Sequence, residues 1–467
     1  VNNPDIKNIS SFASLSLKTE LLTNLAALDF QDMTPIQAQS LPIMLKNADV
    51  IAQAKTGSGK TAAFGLALLN HLDITSYNVQ ALVLCPTREL AEQVTQVLRR
   101  IARLMPNIKM LNLSGGMPMR PQLDSLKHGA HIIIGTPGRV QKHLDLASLG
   151  LDHLKTLVLD EADRMLDMGF EEAIKEVVSF CPSKKQTLLF SATYPDEISQ
   201  LADKFMINPT RVEIKEAVNT TDITQQFYEV PRQADKLAVL KALLYYHQPE
   251  SALIFCNTKD QTTHLTARLS KEGFSVMALN GDLEQTARDL AMIRFSNRSC
   301  SILVATDVAA RGLDIKALPA VINYDLAFDY DVHVHRIGRT GRAGNKGIAL
   351  SLTMPSDAER LCTLEEKSNA SIPWGDIDAL NTTATTITQP EMITLCFAAG
   401  RKDKIRPGDI LGALTKDAGL DANHIGKIDI SALYAYVAIK RTELNQVYPF
   451  IKNGKLKGRK VLIKLVK

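Results

Sequence analysis

The run Ala54-Lys55-Thr56-Gly57-Ser58-Gly59-Lys60-Thr61 has the composition of a loop that cradles phosphate. Gly57 and Gly59 let backbone N–H groups turn toward an anion with no Cβ in the way. Lys60 is spaced to reach the β- and γ-phosphates of a nucleotide, and Thr61 to ligate Mg2+. Ala54 stands where the general pattern has its first glycine. Further on, Asp160-Glu161-Ala162-Asp163 follows directly on the apolar run TLVL. A carboxylate ending a buried strand beside a phosphate loop is where Mg2+ must be held, so Asp160 is expected in that role. Glu161 is then placed to orient and deprotonate an attacking water. Acids clustered at a helix N-terminus are also common for structural reasons alone. Considered by itself the cluster suits both readings; beside the phosphate loop the catalytic one prevails.

These residues need strands to end where the chemistry happens. Apolar runs at 50–54, 81–85, 131–135, 156–160 and 187–190 read as buried parallel strands. Amphipathic stretches such as 89–104 separate them, the pattern of an α/β sheet with helices on both faces. The rhythm restarts after a polar stretch near 207–222, with runs at 252–256, 275–279, 301–305, 320–324 and 347–352. The Thr-rich segment 381–389 marks another boundary. Beyond it, MITLCF, a helix from Pro407, HIGKIDI, LYAYVAIK, a helix from Thr442 and KVLIKLV give β-α-β-β-α-β. That order fits a ferredoxin-like domain, the layout of RNA-recognition modules. The expected fold class is α/β: two parallel-sheet domains in tandem, then a C-terminal ferredoxin-like α+β domain. The expected boundaries are 1–210, 211–375 and 392–467.

Charge separates the last domain from the rest. Residues 392–467 hold 15 Lys+Arg against 6 Asp+Glu, and the preceding 391 residues hold 39 against 44. A basic block on a mildly acidic chain suggests a polyanion-binding module, although a basic face that only aids solubility has the same composition. Six scattered cysteines without a C-x-x-C pair read as thiols in a reducing cytoplasm. No apolar run is long enough to span a bilayer, and no charged-then-apolar leader opens the chain, whose first residue is Val1. A start at Val1 rather than Met is expected to be trimmed or processed.

Taken with PTRELAEQ (86–93), TPGR (136–139), SAT (191–193), ARGLDI (310–315) and HRIGRTGR (335–342), the two opening motifs stand in the order and spacing of DEAD-box RNA helicases. The resemblance spans about residues 12–375 and implies two RecA-like domains, ATP and Mg2+ as cofactors, and RNA as partner. It assigns Gln37 to the adenine edge and Phe30 to stacking on the base. Asp29 stands where the family has glycine, and Met33 replaces a common proline. Without its motif, Phe30 would read as a core aromatic. The resemblance further implies Ser191 and Thr193 as a hydroxyl pair linking the acidic cluster to domain closure. It places Asp314 on the ribose, and Arg339 and Arg342 on the γ-phosphate. An Arg-rich turn standing alone would read as solvated surface. Arg88, Gly116, Thr136 and Arg139 in the first domain, with Thr306 in the second, are implied to grip an RNA backbone. Short duplexes would then be pried apart without long-range translocation.

The tail, with RPGDILGALTKDAGL and GKLKGRKVLIKL, resembles the bacterial DbpA subfamily. That likeness implies recognition of a 23S ribosomal RNA hairpin during assembly of the large ribosomal subunit, by a cytoplasmic monomer. Arg401, Lys402, Lys404, Lys452, Lys455, Lys457 and Arg459 are the expected RNA contacts there, in preference to Tyr434 and Tyr436. Two other readings share the motor: an ATP-gated RNA clamp, separable by strand displacement, and a DNA helicase, separable by ATPase stimulation with DNA. Gln37 with the acidic and SAT motifs argues against DNA.

Overall fold

Alternation along each strand decides which layer a side chain joins. A computed structural model describes residues 11–54, 57–194, 196–214, 223–310, 318–341, 346–380, 386–453 and 455–466. Lys55, Thr56, Asp314, Arg342 and the side chain of Lys452 lie outside the described residues. The chain divides between residues 218 and 219 into two compact units.

The first unit holds seven strands: β1 (Val50–Gln53), β2 (Ala81–Leu84), β3 (Met110–Leu113), β4 (Ile132–Gly135), β5 (Thr156–Asp160), β6 (Gln186–Ser191) and β7 (Thr210–Glu213). They pair in parallel in the order β3-β4-β2-β5-β6-β1-β7. Ala81 and Val83 face a core with Phe64, Val94 and Leu98, from helices Lys60–His71 and Arg88–Ile101. Leu82 and Leu84 face the opposite core with Val140, Leu144, Ile174 and Val177, from helices Pro137–Asp145 and Glu171–Ser179. Burying both faces of the sheet is what makes its central strands uniformly apolar.

The second unit begins with a parallel sheet of β8 (Ile223–Glu229), β9 (Ala252–Phe255), β10 (Val276–Leu279), β11 (Ile302–Ala305), β12 (Ala320–Asn323) and β13 (Gly347–Thr353), in the order β10-β11-β9-β12-β13-β8. Its C-terminal part carries β14 (Met392–Phe397), β15 (Ile425–Ile430), β16 (Ala435–Lys440), the short pair β17 (Lys455–Leu456) and β18 (Arg459–Lys460), and β19 (Ile463–Val466). The antiparallel order β15-β16-β14-β19 is the ferredoxin-like arrangement that the element order predicted.

Three strands of the two parallel sheets were not legible in the sequence: β3, β7 and β8. All lie at sheet edges and carry polar residues, as in TRVE and ITQQFYE. An edge strand has one neighbour and a partly solvated face, so the apolar signal is lost. Strand β7 also carries the first sheet past residue 210, where the sequence reading closed the first domain. Of the six free cysteines, Cys85, Cys256 and Cys300 are buried and Cys362 is exposed. Among the described residues no helix is long and apolar enough to cross a membrane.

One buried histidine in the second unit makes its stability depend on pH. The His333 ring stacks on Phe227 with centroids 5.8 Å apart, and its Nε2 lies 3.2 Å from Gln225 Oε1. Burial, then the Arg336 charge, lower its pKa from 6.5 to about 4. The folded chain favours the neutral ring, whereas the unfolded chain takes up a proton near 6.5. This contribution is therefore complete above 6.5 and lost as pH falls toward 4, up to about 3 kcal/mol. Urea melts of His333→Phe should show a shallower loss of stability between pH 6.5 and 4 than the parent chain. Parallel losses would contradict it.

Candidate nucleotide and RNA sites

Strand order brings the nucleotide residues together. Strands β5, β6 and β1 are neighbours, so Asp160, Ser191 and Ala54 stand at adjacent C-terminal strand ends, the usual ligand edge of an α/β sheet. The Ala54 N–H donates to the Ser191 carbonyl oxygen (3.1 Å). Gly57 and Gly59 have φ of 90° and 96°, the left-handed region that side chains disfavour. A Cβ at Gly59 would come 2.6 Å from Gln37 Nε2. Glycine is thus required here, and it leads directly into the helix headed by Lys60 and Thr61.

Gln37 is buried and bridges two segments. Its Oε1 accepts from the Thr34 N–H (2.8 Å), and its Nε2 donates to the Gly59 carbonyl oxygen (3.1 Å). Asp29 adopts φ 58°, the conformation that the family's glycine would take readily, and asparagine or aspartate tolerates it best among other residues. Phe30 is 38% exposed, with the Arg100 guanidinium 5.9 Å from its ring centre, so it is not a core aromatic.

Lys60 is buried, and its ammonium donates to the Ala54 carbonyl oxygen (2.6 Å). Burial, then the Glu161 charge, raise the Asp160 carboxyl to about 7, against the opposing pull of Lys60. A buried carboxylate under that pressure favours a cation, and the buried Ser191 hydroxyl has no hydrogen-bond partner among the described residues. Donor set and glycine turn therefore fit a Mg2+-bound triphosphate, whose metal Thr61 and Asp160 would hold.

Two further acidic-cluster contacts were not anticipated from sequence. Glu161 has φ 55°, and its Oε2 accepts from Arg164 Nη1 (2.5 Å) with both side chains buried. Asp163 Oδ2 accepts from the Ala192 N–H (3.1 Å), the Thr193 N–H (3.0 Å) and the Thr193 hydroxyl (3.0 Å). Burial alone would raise the Asp163 pKa, but the Thr193 bonds and the Arg164 and Lys60 charges hold it below the ordinary value. The physical link between the DEAD and SAT motifs is thus Asp163 to Ala192 and Thr193, while the Ser191 carbonyl oxygen meets Ala54 of the phosphate loop.

In the second unit, Arg339 is buried at the turn after helix Tyr330–Ile337. That turn is fixed by Arg336, which sequence reading passed over. Arg336 Nε and Nη2 donate to the two Asp307 carboxylate oxygens (2.7 Å each). Its Nη2 also reaches Asn257 Oδ1 (2.7 Å), and its Nη1 reaches the Asp325 carbonyl oxygen (2.6 Å). Lys236 closes the network on Asp325 Oδ1 (3.1 Å). A buried guanidinium survives only when so fully paired, and its partners follow β9, β11 and β12 at one edge of the sheet. Thr306, also at that edge, is buried where β11 ends.

The first-domain RNA candidates lie on three loops. Arg88 opens a helix capped by Thr87, whose hydroxyl accepts from the Leu90 N–H (3.2 Å). Gly116, at φ 74°, follows β3, and Thr136 follows the neighbouring β4. Arg139, one turn beyond, donates through Nη1 to the Met117 carbonyl oxygen (2.9 Å) and to Gln122 Oε1 (2.7 Å).

The C-terminal domain presents its basic residues at one end. Arg401, Lys404, Ile405, Arg406, Asp409 and Lys457 line a cavity of about 470 Å³. Lys457 is partly spent inside the protein, donating to the Lys404 carbonyl oxygen (2.7 Å) and pairing with Asp409 (2.8 Å). Arg406 was missed by sequence reading because it caps a helix, its N–H bound by Asp409 Oδ2 (2.7 Å). Lys402, Lys455 and Arg459 are exposed outside the cavity lining. The sheet face opposite the domain core is partly covered: Thr394 Oγ1 meets Asn297 Nδ2 (2.9 Å) and Ser299 Oγ (2.6 Å), all buried. Tyr436 lies on that same face, level with Cys396, and Tyr434 at the strand entrance is exposed.

Comparison with known proteins agrees with this layout. The DEAD/DEAH box helicase family matches residues 34–201, the helicase conserved C-terminal domain residues 235–344, and the DbpA RNA binding domain residues 394–465. ATP-dependent RNA helicase DbpA of Escherichia coli (strain K12) is 48% identical over 98% of this chain and 100% of its own length. ATP-dependent RNA helicase CshA of Limosilactobacillus reuteri is 42% identical over 76% of this chain and 71% of its own. The solved S. cerevisiae Dbp5 bound to RNA and ADP BeF3 is 34% identical, with a TM-score of 0.72 over 79% of this chain and 96% of that one. Identity at this level, sustained along nearly the whole of two chains, places the protein in the DbpA branch of the DEAD-box family of ATP-dependent RNA helicases.

Proposed function

We propose that the chain acts on structured 23S ribosomal RNA during assembly of the large ribosomal subunit, as a cytoplasmic monomer, with its C-terminal domain holding an RNA hairpin. The observation that carries this reading is the cavity bordered by Arg401, Lys404, Arg406 and Lys457. Four exposed cations around one carboxylate suit a bent phosphate backbone, and a guanidinium can grip a phosphate with two parallel bonds. Coverage of the sheet face at Thr394 also favours RNA contacts at this end of the domain over contacts on the sheet.

The motor's parts follow from the residues described. Mg2+, when bound, would neutralise charge between the β- and γ-phosphates. Asp160 and Thr61 hold that ion, Lys60 meets the phosphate oxygens, and Gln37 selects adenine. Phe30 stacks on the base and Asp314 meets the ribose. Glu161 accepts the proton of the attacking water, with Arg164 fixing its carboxylate. Arg339 and Arg342 meet the γ-phosphate. Asp163 relays changes at the acidic cluster to Thr193 and the SAT segment. Arg88, Gly116, Thr136, Arg139 and Thr306 hold the RNA backbone without reading bases.

Arg401→Ala combined with Arg406→Ala should weaken binding of a 23S hairpin fragment. The slope of log affinity against log salt should become shallower by about one for each lost phosphate contact. ATPase stimulation by unstructured RNA should stay near the parent value. Hairpin binding with unaltered affinity and salt slope would overturn the assignment.

A further inference from the structure

We infer that Gln122 is a positioning residue for the RNA grip of the first domain: one buried amide ties the Gly115–Gly116 loop to the helix that presents Arg139. The inference rests on the proposed role of those two segments in holding RNA.

Gln122 lies on the helix Met119–Leu126 and is only 9% exposed. Its Nε2 donates to the Ser114 carbonyl oxygen (3.2 Å), immediately before the glycine pair. Its Oε1 accepts from Arg139 Nη1 (2.7 Å) and lies 3.1 Å from His143 Nε2. Because a guanidinium only donates, the atom facing Arg139 must be the amide oxygen. The His143 nitrogen against that same oxygen must then carry a proton. This fixes the Nε2–H tautomer and leaves Nδ1 as an acceptor 2.9 Å from the Ser148 hydroxyl, whose one proton is shared with the His143 carbonyl oxygen, also 2.9 Å away. Burial, then the Arg139 charge, lower the His143 pKa, which keeps that ring neutral and the arrangement intact.

The consequence is geometric. Strands β3 and β4 deliver the glycine loop and Thr136 side by side, since β3 pairs with β4 through Leu113 and Gly135. Nothing in that pairing sets the Arg139 rotamer. The guanidinium is fixed through Nη1, committed to Gln122 and to the Met117 carbonyl oxygen inside the glycine loop's own segment. That leaves Nε and Nη2 as the donors Arg139 can offer to a phosphate. Removing the amide frees the arginine to sample other rotamers and loosens the glycine loop, so RNA binding must bear the ordering entropy.

The test uses the full chain, a single-stranded oligoribonucleotide, and the variants Gln122→Met and Gln122→Glu. In the Met variant the RNA concentration giving half-maximal ATPase should rise about tenfold, and the salt slope of RNA binding should become shallower by about one contact. The kcat at saturating RNA and the KM for ATP should stay within about twofold. Gln122→Glu keeps an acceptor for Arg139 and His143 but has no donor for Ser114. It should raise the RNA requirement while preserving the salt slope, and it remains informative if the Met variant does not fold. Unchanged RNA dependence in both variants, with Arg139→Ala clearly weakened, overturns the inference alone. Unchanged RNA dependence in Arg139→Ala as well overturns the underlying RNA-grip reading. A joint loss of ATP affinity, kcat and melting temperature would mean a merely structural glutamine and would also overturn the inference.

Discussion

Glu161→Gln is expected to bind ATP and single-stranded RNA like the parent chain and to hydrolyse ATP about 10²–10⁴-fold more slowly. The substitution is conservative in shape. Glu161 is buried against Arg164, with Oε2 accepting from Nη1, and a glutamine carbonyl oxygen can accept the same bond. What disappears is the basicity needed to take a proton from water. The charge also disappears, and that charge is one of the two causes holding the Asp160 carboxyl near 7. Asp160 should therefore ionise at lower pH in the variant, so Mg2+ binding should persist or improve while chemistry fails. Single-turnover hydrolysis beside equilibrium nucleotide binding separates the two effects. Parent-like turnover would remove Glu161 from the role of base.

Lys60→Ala should fail at an earlier stage, with kcat/KM for ATP falling by about 10²–10³-fold or more. The ammonium is buried and tethered to the Ala54 carbonyl oxygen at 2.6 Å, which directs it into the loop where phosphate is expected. It is also the first of the groups that lower the Asp160 pKa against burial. Without it the Asp160 pKa moves further up from about 7, so at neutral pH the carboxyl stays protonated and is a poor metal ligand. Raising the pH should restore part of the Mg2+ affinity but not the lost phosphate contact. Titration with a fluorescent ATP analogue at two pH values distinguishes these losses. Parent-like ATP affinity would contradict the phosphate-loop assignment.

These two outcomes are visible in sequence because the residues concerned sit at the ends of central strands. Such strands are buried on both sides and must be apolar, so TLVL announces itself, and whatever follows it lands on the ligand edge. Edge strands carry no such demand, and β3, β7 and β8 were lost among polar residues. The contacts missed were those made by polar residues serving other polar residues. Arg164 on Glu161, Asp163 on Thr193, Arg336 on Asp307 and Gln122 on Arg139 are fixed by burial and hydrogen bonding. None of these leaves a periodic trace along the chain.

The sequence by itself determined the motor's chemistry, the order of its domains and the basic character of the last one. Those follow from residue type, spacing and charge, which survive without coordinates. Only the tertiary structure decided which atoms hold the acidic cluster in place, that Thr193 rather than the Ser191 side chain meets Asp163, and that one sheet face of the last domain is partly covered. Each of these depends on buried polar groups finding partners far away in the chain. The cost of leaving such a group unpaired selects the partner, and that selection operates in space, not along the sequence.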